Sequence, residues 1–204
     1  MRISRKNVPS GTVALARALL GKVLIRSIDG VIAAGRIVET EAYLQQDPAC
    51  HAFRGVTPRN HSLFLEHGHA YVYLCYGTSY LLNVSSEARG IGSGVLLRAL
   101  EPLYGIEHMQ RNVRQVKLND ITRGPGRLTA ALRVDRRHDG LNLFTDEQLW
   151  IGDDGHRIKS IGESVRIGLT KAADERLRYF VSGSLYLSGT RKLNQPTLNR
   201  PTEK

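Results

Sequence analysis

Three side chains on one short stretch set the chemical question. In GRIVETEAY (Gly35–Tyr43), Glu39, Glu41 and Tyr43 recur at every second position. In an extended strand this spacing puts them on one face, with Val38, Thr40 and Ala42 on the other. Two carboxylates beside a phenol are what a general base against an aromatic wall requires. The same pattern equally describes the solvent-facing side of a half-buried strand. A second group is aromatic: AYVYLCYGTSYLLN (Ala70–Asn83) holds four of the eight tyrosines. Tyr71, Tyr73 and Cys75 share a face, while Tyr76 stands at the start of the Gly77-Thr78-Ser79 turn. Tyrosines pack well on strands. One at a hairpin tip is badly placed for a core and suits a wedge between bases, with Tyr73 as a stacking platform.

Four histidines, His51, His61, His67 and His69, crowd the loop-rich stretch 45–69. A metal would need three or four converging ligands. His67-Gly68-His69 and Cys50-His51 match no zinc spacing, and the zinc deaminase signature is absent. No metal site is expected. His51, which follows Glu41 and Tyr43 closely, reads as a neutral hydrogen-bond partner in a pocket. Arg54, Arg59, Arg98, Arg111, Arg114, Lys117, Arg123, Arg127, Arg133, Arg136 and Arg137 are spread along the chain. Some adjoin glycine or proline, as in TPRN (Thr57–Asn60) and RGPGR (Arg123–Arg127), where exposed N–H groups beside a cation suit phosphate. There is no Walker loop, no dinucleotide fingerprint and no Gly-x-Ser-x-Gly elbow.

These groups must be positioned by a chain of 204 residues, enough for one domain. It is 41% hydrophobic and 24% charged, which excludes a disordered protein. Lysine and arginine number 29 against 19 acidic residues, for a net charge of +10. That balance favours a polyanionic partner, nucleic acid first and an acidic membrane surface second. Two cysteines, Cys50 and Cys75, exclude a disulfide framework and point to a reduced compartment. No apolar run is long enough to span a bilayer, and Arg17 interrupts the first apolar stretch, so no signal peptide is read.

The patterning predicts a helix capped by Ser10 or Thr12 and ending near Gly21, then a strand over 22–28. Asp29-Gly30 is a hairpin turn signal leading into a long strand over 31–43. Further strands are expected at 70–75, 80–85, 94–100, 148–151, 164–169 and 178–187, with helices at 103–115 and 125–133. This is an α+β single domain over 1–204 with a curved, mostly antiparallel sheet, flanking helices and a protruding hairpin. The ordered core is expected over about 12–188, with 189–204 as a flexible tail.

The runs LARALLGKVL, GRIVETEAYL, TPRN, YVYLCYG, LNVSS, VLLRALEPL and GPGRL, in that order from about residue 12 to 188, resemble the alkyladenine (3-methyladenine, methylpurine) DNA glycosylases. The resemblance implies a cofactor-free, monofunctional enzyme. It would hydrolyse the N-glycosidic bond of alkylated or deaminated purines (3-methyladenine, 7-methylguanine, hypoxanthine, ethenoadenine) in double-stranded DNA after flipping the nucleotide, and leave an abasic site. Glu41 then corresponds to the general base, Arg98 to the residue holding the water and the adjacent phosphate, and the Ile167 carbonyl to a further water contact. Tyr43, His51, Tyr73, Asn83 and Ala49 correspond to residues enclosing the base, Asn83 by crowding the amine of normal guanine. Tyr76 corresponds to the intercalating wedge, with Gly77, Thr78 and Arg59 also at the DNA. Glu39 has no matched role.

Ser79 and Cys50 depart from the family's common pattern, a bulkier residue after the hairpin tip and a small alanine before His51. The expected state is a monomer without membrane association, in the cytoplasm at the nucleoid of a bacterial-type cell, or in the nucleus of a eukaryotic one. A non-catalytic nucleic-acid module is the main rival. A carboxylate inside a phosphate-binding surface counts against it, as it would repel the ligand. An enzyme acting on free nucleosides is the third reading.

Overall fold

In the computed structural model, which describes residues 1–113 and 116–195, the longest strand forms where the sequence alternates most clearly. Asp29 and Gly30 take φ values of 49° and 79°, the left-handed conformations of a two-residue hairpin loop. They turn β1 (Val23–Ile28) back into β2 (Val31–Tyr43) in register Ile28 to Val31. β3 (Ala70–Cys75) and β4 (Ser79–Ser85) form a second hairpin, and β5 (Gly94–Tyr104) lies between β4 and β2. With β6 (Leu149–Gly152), β7 (Ile161–Ser164) and β8 (Arg178–Val181), the order is β3-β4-β5-β2-β1-β6. β8 joins β2 on one side and β7 on the other. The described pairings between these strands are antiparallel. The fold is α+β, a curved antiparallel sheet with helices packed against it.

β2 decides where the carboxylates go. Its first half pairs with β1 and its second half with β8, while β5 runs along its other edge. Glu39 and Glu41 are therefore on a central strand, and the solvent-facing reading fails because both side chains are fully buried. The register between β2 and β5 shifts between Ile37 and Glu39, leaving Val38 unpaired in a β-bulge. Ile37 and Ala42 belong to the same main core, although their odd separation would put them on opposite faces of a regular strand. Val38 joins Ala99, Phe180 and Leu187 instead. The expectation that Val38 shares a face with Thr40 and Ala42 is corrected: the bulge turns Val38 to the side of Glu39.

The main core lies between the sheet and three helices, α1 (Thr12–Ala18), α2 (Ile106–Asn112) and α3 (Pro125–Ala131). α1 buries Leu15 and Ala16, and the Thr40 hydroxyl donates to the Ala16 carbonyl at 2.9 Å. Its cap is not the expected Ser10 or Thr12 side chain. Gly11 is the N-cap, and the Glu87 carboxylate accepts from both the Thr12 N–H (2.9 Å) and hydroxyl (2.7 Å).

Several boundaries differ for visible reasons. α2 starts later than 103 because β5 runs on through Tyr104. Residues 165–169 are not a strand, because the Ile167 N–H is taken by a carboxylate. β8 ends at Val181, where the Ser184 N–H folds back to the Val181 carbonyl and Gly183 takes φ 81°. Residues 191–194 form a turn, and the Leu193 carbonyl and Asn194 side chain accept hydrogen bonds from Arg178. The rest of the expected tail, 196–204, and Arg114 lie outside the described residues.

Candidate active site

β2, β5 and the segment after β7 converge on the Glu41 carboxylate, which is fully buried. Its Oε2 accepts from the Tyr43 hydroxyl at 2.9 Å and from Arg98 Nη1 at 3.1 Å. Its Oε1 accepts from the Ile167 backbone N–H at 2.8 Å. A carboxylate oxygen has two lone-pair sites, so Oε2 is filled while Oε1 keeps one for a further donor. The structure places the N–H of Ile167 on the carboxylate, where the sequence singled out its carbonyl.

Arg98, on β5, reaches both acidic residues. Its Nε donates to Glu39 Oε1 at 3.0 Å and Nη1 to Glu41, while Nε and Nη2 each lie 3.2 Å from the Ser188 hydroxyl. Burial disfavours its charge, but Glu41 and Glu39 outweigh that and raise its pKa further. Tyr43 is the aromatic wall, with the Arg166 guanidinium 4.6 Å from its ring centroid. Burial and the adjoining Glu41 push its phenol far above the ordinary range, so it stays a donor. Arg166 is held by the Ala42 carbonyl at 3.0 Å and by Asp47.

Of these groups, Tyr43, Arg98 and Ile167 border a cavity of about 700 Å³, and Glu41 lies behind them. Tyr43, Ala49, His51, Tyr73, Asn83, Arg98 and Ile167 line it, as do Arg59, Tyr76 and Thr78 at the hairpin. The cavity thus gathers ten of the expected site residues. Glu41 reaches it through its three hydrogen-bond partners, and Gly77 sits in the hairpin loop. Tyr73 stacks on Tyr71 at 5.2 Å with 27° between the planes, and His51 meets Tyr73 edge-on at 4.5 Å. His51 Nδ1 lies 2.9 Å from the Tyr71 hydroxyl. Burial, and then the charge of Arg59, lower the His51 pKa, which keeps the ring neutral near pH 7. Asn83 is fixed by its Nδ2 donating to the Tyr71 carbonyl at 3.3 Å. Cys50 is buried with Ala52, Leu63 and Tyr71, and burial pushes its thiol up to about 11.

The hairpin tip borders the same cavity but is open to solvent. Cys75 pairs with Ser79 across a loop of Tyr76, Gly77 and Thr78, in which Tyr76 and Gly77 take φ values of 49° and 70°. Tyr76 is 93% exposed. A tyrosine held at positive φ and left in solvent contributes nothing to packing, so its place needs another reason. The base of the hairpin is braced by α3, where Gly126 approaches so closely that an added Cβ would lie 2.9 Å from that of Ser79. The absence of a side chain at Gly126 is therefore what lets the helix lie against the hairpin. Arg59 donates to the Leu74 carbonyl at 3.2 Å and lies 5.7 Å from the Tyr73 ring.

Sequence reasoning missed Arg178 and Ser188, which surround Glu39, and Arg166 with Asp47 behind Tyr43. The available signal for Arg178 was a single charge inside the apolar run 177–181. No group of three or more histidine, cysteine or acidic side chains suited to a metal occurs among the described residues. No described helix is long and apolar enough to cross a membrane.

Comparison with known proteins agrees with the geometry. Residues 7–185 match the family described as methylpurine-DNA glycosylase. A protein of Mesorhizobium japonicum is 57% identical over 193 residues, covering 95% of this chain and 93% of its own. One of Paraburkholderia phytofirmans is 47% identical over 189 residues (93% and 89%), and one of Chlorobaculum tepidum 45% over 183 (88% and 87%). All three carry the name "Putative 3-methyladenine DNA glycosylase".

Proposed function

The chain belongs to the methylpurine-DNA glycosylase family and is a DNA glycosylase for alkylated purines, and we propose that it works by flipping the base and attacking with a Glu41-activated water. The observation that carries this is a fully buried carboxylate with one unfilled lone pair, anchored to the residues of an aromatic-walled cavity beside an exposed tyrosine.

The flipped purine enters between Tyr43, His51 and Tyr73, with Ala49 and Asn83 closing the far side. Glu41 Oε1 takes a proton from water as the water oxygen attacks the anomeric carbon and the purine leaves with the bonding electrons. The sugar acquires positive charge in the transition state, which the adjacent carboxylate stabilises. Arg98 keeps N–H groups free of Glu39, Glu41 and Ser188 for the water and the neighbouring phosphate. Tyr76 fills the gap in the duplex, with Gly77, Thr78 and Arg59 against the backbone. No lysine is required as a nucleophile, and the product is an abasic site.

Among substrates, we assign 3-methyladenine, 7-methylguanine, hypoxanthine and ethenoadenine. A cationic methylpurine gains cation–π attraction of roughly 0.5–2 kcal/mol from tyrosine walls. Here the rings of Tyr43 and Tyr73 already sit beside Arg166 and Arg59, so the lower figure applies. Shape and the neutral His51 carry more of the selection.

The test is base release from duplexes carrying one hypoxanthine, one ethenoadenine or methylated purines, with alkali revealing abasic sites, by the wild type and Glu41→Gln. Glutamine must present an amide N–H to one of three donors, so at least one of Arg98 or Ile167 loses its acceptor. General-base loss predicts a fall of about 10²- to 10⁴-fold. Full turnover by Glu41→Gln would remove Glu41 as the base. Release from free nucleosides as fast as from duplex would remove the DNA-specific reading.

A further inference from the structure

Glu39 shares a face with Glu41 but is held by a different set of partners. It is fully buried and takes four hydrogen bonds: Oε1 accepts from Arg98 Nε (3.0 Å), Arg178 Nε (2.7 Å) and the Ser188 hydroxyl (2.7 Å), and Oε2 from the Ser188 N–H (2.6 Å). Of its partners only Arg98 lines the cavity, whereas all three partners of Glu41 do. Burying a carboxylate so completely costs free energy that only a dense set of partners offsets. The charges alternate through the cluster: Arg178, Glu39, Arg98, Glu41.

Arg178 is the fixed end. It has no exposed surface, and its donors are satisfied by Glu39, the Ser164 hydroxyl (2.8 Å), the Leu193 and Ser188 carbonyls (3.0 and 3.2 Å) and the Asn194 side chain (2.6 Å). It also lies 4.7 Å from the Phe180 ring centroid. Its charge, first, and that of Arg98 hold the Glu39 carboxyl below the usual range despite the opposing effect of burial. Arg98, by contrast, faces the cavity and has two carboxylates to choose between.

We propose that Glu39, clamped by Arg178 and Ser188, is a positioning residue that divides the Arg98 guanidinium between two carboxylates, so that one N–H face stays on Glu41 and the remainder stays turned to the cavity. The proposal rests on Glu41 being the base. With Glu39 neutralised, Arg98 and Arg178 lose their shared counter-ion, and Arg98 collapses onto Glu41 and makes it a weaker base. With Arg178 neutralised, Glu39 draws Arg98 away and leaves Glu41 less stabilised in its ionised form. The charged and titratable groups facing Glu41 are Arg98 from β5, Tyr43 and Glu39 from β2, and Arg178 from β8. The Arg166–Asp47 pair lies behind Tyr43. The two substitutions therefore act on it with opposite sign.

The experiment measures single-turnover base release from an alkylated duplex against pH for the wild type, Glu39→Gln and Arg178→Gln. The pH below which release falls off is expected to move down in Glu39→Gln and up in Arg178→Gln, each by about one unit. A milder pair covers the case in which a charge substitution does not fold. Ser188→Ala removes the hydroxyl shared by Glu39 and Arg98 and is expected to slow the saturated rate about tenfold with half-saturation unchanged, while Ser188→Thr restores it. Equal displacement in both charge variants, or no displacement together with a wild-type rate in Ser188→Ala, overturns the proposal. Glu41→Gln run alongside separates the two claims. If it retains full turnover, the base assignment fails; if it is inactive and the other results are absent, the clamp alone fails.

Discussion

Replacing Tyr43 by phenylalanine isolates one of the three donors to Glu41 while leaving the wall in place. The ring keeps its contact with Arg166 at 4.6 Å, and only the hydroxyl 2.9 Å from Oε2 is lost. A hydrogen bond to a charged group is worth about 1.5–3 kcal/mol. At about 1.4 kcal/mol per decade this corresponds to roughly 10- to 150-fold in rate if the whole contribution is used in the transition state. The lower end applies, because Arg98 Nη1 still occupies Oε2 at 3.1 Å and the Ile167 N–H still fixes Oε1. The expected outcome is a loss of about tenfold in the single-turnover rate with enzyme in excess over duplex, with half-saturation little changed. Because the phenol is pushed far up by burial and by Glu41, it donates across the whole working range, and the loss should not depend on alkaline pH. A change below about twofold would mean the hydroxyl does not orient the base. A loss beyond roughly a thousandfold would mean that Tyr43 itself moves a proton, and the assignment of Glu41 would need revision.

Three further outcomes follow from the same geometry. Tyr76→Ala should leave thermal stability unchanged within about 0.5 kcal/mol, because an exposed side chain at a hairpin tip packs against little. It should nevertheless weaken binding to a damaged duplex, and unchanged affinity would remove the wedge role. The Cys50 thiol, pushed up to about 11 by burial, should stay unalkylated by iodoacetamide at pH 8 in the folded chain and react after unfolding, as read by mass mapping. Finally, burial lowers the pKa of both His51 and His138, helped by Arg59 and Arg26 respectively. Just below the ordinary imidazole value of about 6.5 the unfolded chain then binds more protons than the folded one, so stability rises with pH through that window. Urea midpoints at pH 5, 6 and 7.5 should increase in that order, and a smaller slope in His138→Gln would identify its share.

Much of this protein is legible in its order of residues because the signals are local. The Asp29-Gly30 turn follows from the need for positive φ at both positions, and β2 ends where the alternation does. The grouping of Glu39, Glu41 and Tyr43 on one face follows from the two-residue repeat of a strand, and Tyr76 at a tip from Gly77 beside it. The family motifs add the pairing of those residues with Arg98, His51 and Asn83. What the order of residues leaves open is which face of β2 is dry. That is decided by groups far away in the chain, Arg98 of β5, Arg178 of β8, Ile167 and Ser188, which cover that face and turn an ambiguous pair of acids into buried, paired charges. The bulge at Val38 is likewise invisible locally, because it depends on the register with β5. Residues 165–169 look like a strand until Glu41 claims the Ile167 N–H. Arg178 and Ser188 are 139 and 149 positions from Glu39, and only the folded sheet brings their charge and hydroxyl to it. Hydrogen-bond partners for a buried carboxylate are a property of the assembled interior, so the candidate carboxylate is written in β2 and the means of holding it in the tertiary structure.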